Sequence, residues 1–162
     1  MTAPLRIVFV CTGNICRSPT AEGVLRQQAA ALGVADRIEV ASAGLDGWHA
    51  GAPPDPRSLA HALGRGYDLA AQRARHFTPR HFEEFDWVIA MDAGHHYRLR
   101  GMCPPQHAHK LKRAADFSER VPAGGVPDPY YGEAAHFEQV LDLVEAVCEG
   151  VLQAATAAPS PR

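Results

Sequence analysis

Strand-like and helix-like patterns of apolar positions alternate along this chain, and the spacing within each run identifies the element. Leu5-Arg6-Ile7-Val8-Phe9-Val10 is an apolar, β-branched run short enough to be a buried strand. After it, Ala21, Val24, Leu25 and Leu32 recur at helical spacing behind Ser18-Pro19, which reads as an N-cap followed by the first helical residue. Strands are predicted near 5–10, 37–42, 86–91 and 109–114, and helices near 18–32, 56–64, 92–101 and 133–154. The last helix carries Phe137, Val140, Leu141, Val144, Val147 and Val151 as a stripe that faces a core. This alternation predicts an α/β three-layer sandwich, a four-stranded parallel sheet flanked by helices. Ligands of such open sheets sit at the carboxyl ends of the strands.

At 162 residues the chain is long enough for one core without staples. We therefore expect one domain over 1–156, with the Ala-Ala-Pro-Ser-Pro-Arg end at 157–162 as a flexible tail. A net charge of −2 offers no reason to expect nucleic acid as a partner, and no segment reaches membrane-spanning length. Cysteines at 11, 16, 103 and 148 lack the spacing of a disulfide framework. A reducing cytoplasm is the expected compartment, with export by a signal-independent route left open.

The densest chemistry lies in Cys11-Thr12-Gly13-Asn14-Ile15-Cys16-Arg17-Ser18-Pro19, where strand passes to helix. Backbone amides of such a loop, together with the helix N-terminus, form a concavity that attracts an anion, so a phosphate-binding loop is expected between the first strand and the first helix. Arg17 offers a planar fork for two phosphate oxygens. The same positive field favours the thiolate of Cys11, a ready nucleophile. Ser18 is placed to donate its hydroxyl to that sulfur, Gly13 permits an unusual backbone angle, and Asn14 tolerates a left-handed one. The competing reading of Cys11 as a packing thiol explains the cysteine alone and leaves the rest of the loop unexplained.

A thiolate that cleaves a phosphate ester also needs an acid for the leaving oxygen. Asp128-Pro129-Tyr130-Tyr131-Gly132 supplies one, because proline disfavours helix at Asp128 and leaves its carboxyl on an extended loop. The bland reading is a simple Asp-Pro turn. Tyr130 and Tyr131 are suited to wall an aromatic ester. The stretch 121–127 reads as a mobile approach to Asp128, and 43–56 as a substrate-facing loop.

Together with Ser42-Ala43-Gly44, Pro54-Asp55, Arg57 and Phe85-Asp86-Trp87-Val88-Ile89-Ala90-Met91-Asp92, these segments strongly resemble the low molecular weight protein tyrosine phosphatases over most of the chain. The resemblance implies a cofactor-independent phosphatase that hydrolyses phosphotyrosine in proteins. Cys11 would form a phosphocysteine, Arg17 would clamp phosphate, and Asp128 would serve as general acid and base. It implies loop-shaping roles for Asn14 and Ser18, a cleft lined by Trp48, His49, Tyr130 and Tyr131, and a protective disulfide between Cys11 and Cys16. The family often carries a histidine where Gln72 stands here. Phosphotyrosine proteins are the implied partners, and a tyrosine kinase acting on Tyr130 or Tyr131 is a further candidate. A monomer or weak dimer is expected.

Rival readings turn on particular residues. The nine histidines, among them His95-His96 and His107-Ala108-His109, show no compelling zinc spacing and read as solvated loop residues, so no metal is expected. Arsenate reduction needs resolving cysteines that 88–100 lacks. A protein arginine phosphatase favours threonine where Ile15 stands, and Ile15 suits a phenyl ring better than a guanidinium. A noncatalytic phosphotyrosine-binding module would have no use for Cys11, Arg17 and Asp128 together.

Overall fold

The computed structural model describes residues 3–157. Four strands, β1 (Leu5–Cys11), β2 (Ile38–Gly44), β3 (Trp87–Ala90) and β4 (Leu111–Arg113), form one all-parallel sheet in the order β2-β1-β3-β4. The helices are α1 (Arg17–Ala31), α2 (Pro56–Gly64), α3 (His81–Glu84), α4 (Ala93–Met102) and α5 (Ala134–Ala157).

The central strand β1 shows why three layers form. Its side chains alternate between faces. Ile7, Phe9 and Cys11 enter a core with Val24 and Leu25 of α1, Ala62 of α2 and the Val140-to-Val151 stripe of α5. Val8 and Val10 enter a second core on the opposite face, with Phe82 of α3, Phe85 and Leu99 of α4. Both faces of β1 are dry, which accounts for its continuous apolar run.

Several boundaries differ from the sequence reading. Helix α1 starts at Arg17 with Cys16 at the N-cap position, and no side chain caps it. Ser18 is not the cap because its hydroxyl is drawn to Cys11 and Asn14 instead. Strand β4 has only three residues, since 105–110 winds into a 3-10 segment. The one-turn α3 was too short to leave a periodic signal. Helix α5 runs on to Ala157, the first residue of the expected tail, and 158–162 lie outside the described residues.

Helix α5 packs closely on the 3-10 turn at 114–117. A Cβ at Gly150 would lie 1.9 Å from the Phe117 carbonyl oxygen, so only glycine fits. Gly150→Ala should lower stability by roughly 2–3 kcal/mol, the usual cost of forcing atoms into a packed contact, as read by denaturant unfolding.

Candidate active site

Strand β1 delivers Cys11 to the carboxyl edge of the sheet, and pairing continues past the strand ends through Leu45 N to Cys11 O (2.9 Å) and Asp46 N to Thr12 O (2.9 Å). The loop from Thr12 to Cys16 turns back over Gly44, where a Cβ would stand 2.8 Å from the Gly13 carbonyl carbon and 2.9 Å from Asn14 N. That close approach is the physical reason for glycine at the end of Ser42-Ala43-Gly44. Asn14 adopts the left-handed conformation expected of it, with φ of 58°.

Asn14 is tied at both ends of its amide. Its Oδ1 accepts from Arg75 N (2.9 Å) and its Nδ2 donates to Ser18 Oγ (2.9 Å). Ser18 Oγ lies 2.9 Å from Cys11 Sγ. With one acceptor site of Ser18 filled by Asn14, its single proton is shared between the Cys11 sulfur at 2.9 Å and the more distant Ala43 carbonyl oxygen at 3.5 Å, and a thiolate draws it to the sulfur. Gln72 takes no part in this network and donates instead to Pro19 O (2.9 Å).

Arg17 is 3 % exposed. Its Nη1 donates to Asp92 Oδ2 (2.7 Å) and to Val126 O (2.9 Å), and its Nη2 lies 3.4 Å from His95 Nε2 and 3.7 Å from Asp128 Oδ2. Asp92 caps α4 by accepting from His95 N (2.8 Å). Burial opposes the Asp92 carboxylate, but the His95 N–H and then Arg17 outweigh it and hold the carboxyl below its usual range.

Sequence reasoning missed Asp92 and His95. His95 is buried on α4, not solvated in a loop, and its Nε2 lies 2.8 Å from Thr12 Oγ1. His96 also lies on α4, while His107 and His109 belong to the 3-10 segment. A carboxylate that ends a central strand and opens a helix was a legible signal for Asp92. Nothing in the sequence placed His95 against Thr12 and Arg17.

The approach to Asp128 is anchored rather than mobile. Ala93 N donates to Gly124 O (3.0 Å) and Val126 N to Met91 O (2.9 Å), which pins the segment to the end of β3. Asp128 itself is exposed, and its Oδ1 accepts from Tyr130 N (3.1 Å).

A cleft of about 340 Å³ gathers Cys11, Thr12, Gly13, Ile15, Cys16, Arg17, Trp48, His49, Asp128, Tyr130 and Tyr131. It also includes Asp46, which the sequence reading did not single out; Asn14 and Ser18 are buried beneath the loop. Trp48 and Tyr131 are almost fully exposed at the mouth. Tyr130 meets Tyr131 edge-on and lies under the Arg57 guanidinium, which Asp55 grips through Nε (3.0 Å) and Nη2 (2.8 Å). Burial pushes the Cys16 thiol up to about 12, and its hydrogen bond with Ser58 offsets this only in part. That keeps Cys16 a thiol and slows any attack by it on an oxidised Cys11.

Among the described residues no group of three His, Cys, Asp or Glu side chains could hold a metal ion, and no helix is long and apolar enough to cross a membrane. A thiol at the floor, a buried guanidinium fork, an uncapped helix start and an exposed carboxylate at the rim suit a tetrahedral phosphoryl group.

The family model for low molecular weight phosphotyrosine protein phosphatase matches residues 6–159. A low molecular weight protein-tyrosine-phosphatase of Streptomyces coelicolor is 43% identical over 152 residues, covering 92% of each chain. A putative one of Synechocystis is 41% identical over 149 residues, covering 91% of this chain and 94% of its own. The crystal structure of a protein tyrosine phosphatase from Entamoeba histolytica superposes with a TM-score of 0.91 at 33% identity, over 94% of this chain and 97% of that one. With the loop from Cys11 to Arg17 at the carboxyl edge of the same parallel sheet, this chain belongs to the low molecular weight phosphotyrosine protein phosphatases, a family of cysteine-based enzymes.

Proposed function

We propose that the enzyme hydrolyses phosphotyrosine monoesters in proteins by two displacements at phosphorus, the first by Cys11 and the second by water. The observation that carries this reading is the convergence of Cys11, Arg17 and Asp128 in one cleft walled by Tyr130 and Tyr131. In the first step the Cys11 sulfur attacks phosphorus and the bond to the tyrosyl oxygen breaks, while Asp128 gives that oxygen its proton. Arg17 and the loop amides hold the three remaining oxygens as their charge shifts. In the second step water attacks phosphorus, its proton passes to Asp128, and the S–P bond breaks. Ser18 then donates to the departing thiolate, which makes Cys11 a better leaving group. Thr12, Gly13, Ile15 and Cys16 complete the phosphate loop, and Trp48 and His49 line the cleft beside the phosphotyrosine.

Ile15 in the cleft favours the phenyl ring over a guanidinium, because it leaves the polar nitrogens of phosphoarginine without a partner. With a chelator present, kcat/KM for a phosphotyrosine peptide should exceed that for the matched phosphoarginine peptide by about 100-fold or more. The reverse order would assign the site to phosphoarginine, and turnover of neither would leave a binding module.

A further inference from the structure

Arg17 carries five N–H donors. Both on Nη1 are taken, by Asp92 Oδ2 and Val126 O, and one on Nη2 points to His95 Nε2. The edge left for an anion is therefore the one formed by Nε and the outer Nη2 hydrogen. Which edge faces the cleft depends on what holds the opposite end of the guanidinium.

Arg17 cannot accept a hydrogen bond, so the His95 nitrogen that faces it must be the unprotonated one. The proton of His95 accordingly sits on Nδ1, which lies 3.2 Å from Asp92 Oδ1. That contact does not meet hydrogen-bond geometry, so Nδ1 is buried without a well-aligned partner. With Nε2 as an acceptor, the Thr12 hydroxyl donates to it at 2.8 Å. One buried lone pair thus meets both the first residue of the phosphate loop and the guanidinium that closes it.

We propose that His95 is a positioning residue of this phosphatase, whose unprotonated Nε2 holds Thr12 and the Nη2 end of Arg17 so that the Nε–Nη2 edge faces the bound phosphate. The proposal rests on the phosphate-binding reading of the cleft. Four charged groups act on His95: Asp92 and Arg98 from its own helix, Arg17 from α1, and Asp128 from the rim. A proton on Nε2 would set a second cation against Arg17 and break both contacts. Burial first, and Arg17 next, push the imidazole down to about 4. His95 therefore stays neutral through the mildly acidic range in which a thiolate nucleophile and a protonated acid coexist.

His95→Asn and His95→Gln separate this role from simple packing. Both are polar, but only glutamine reaches far enough to set an acceptor oxygen where Nε2 lies. The dissociation constant of inorganic phosphate, followed by titration, and KM for a phosphotyrosine peptide should each rise about tenfold in His95→Asn, the usual cost of a lost hydrogen bond to a charged group. His95→Gln should stay within about threefold of the parent. The pH profiles of both variants should keep the parent's limbs, since His95 does not titrate there. Unchanged phosphate affinity in His95→Asn would overturn the proposal, as would a His95→Gln as defective as His95→Asn when thermal unfolding shows both folded. Phosphate binding needs no turnover, so this titration decides the role of His95 even if phosphotyrosine proves not to be the substrate.

Discussion

Cys11→Ser is expected to abolish turnover, lowering kcat for a phosphotyrosine peptide by about ten-thousand-fold or more while inorganic phosphate still binds. Serine nearly matches cysteine in size, and Cys11 is only 3 % exposed, so the loop has little reason to move. The chemistry changes instead. A hydroxyl at the end of β1 is far harder to ionise than a thiol, and the Ser18 hydroxyl, 2.9 Å from the sulfur in the parent, has no thiolate to support. Steady-state assay together with phosphate titration reads the two quantities separately. Residual activity within tenfold of the parent would remove Cys11 as nucleophile.

Asp128→Ala should lower kcat for phosphotyrosine by roughly a hundred- to ten-thousand-fold, the range spanned by a general acid–base group. The loss in kcat/KM, which reports the first step, should shrink for aryl phosphates whose leaving oxygen needs no proton. The second step still lacks its base, so phosphate should accumulate on Cys11 and be trapped by rapid acid quench. The Asp128 side chain is 49% exposed, and its ion pair with Arg17 is long at 3.7 Å, so thermal stability should hardly change. An equal loss of kcat/KM for good and poor leaving groups, or no adduct trapped with a good one, would place the acid elsewhere.

The apolar run before Cys11 identified β1, because a strand buried on both faces leaves no polar alternation. The left-handed Asn14 followed from the backbone preference of asparagine and the Ser18–Cys11 contact from a spacing of seven residues, whereas the Arg75 amide that anchors Asn14 lies 61 residues away. The helix start did not follow from local preference. Ser18-Pro19 is a good cap by composition, but the Ser18 hydroxyl is committed to Cys11 and Asn14 and the helix starts at Arg17 without a side-chain cap. The approach to Asp128 looked mobile from its glycines and prolines. It is held by backbone bonds to the end of β3, which composition does not record.

The sequence alone determined the local syntax of this enzyme: the order of the main strands and helices, the seven-residue span from Cys11 to Arg17, and the Asp-Pro that keeps a carboxyl out of a helix. These depend on neighbours along the chain, where spacing and backbone preference decide. Only the tertiary structure decided what surrounds that syntax. Asp92 meets Arg17 across 75 residues, and Thr12 meets His95 across 83. A buried guanidinium needs its charge compensated and its donors filled, and the partners that do so are chosen by which strand ends stand side by side in the sheet. His95 illustrates the limit: by spacing it is one histidine among nine, and only packing strips it of water, keeps it neutral and turns it toward the phosphate loop.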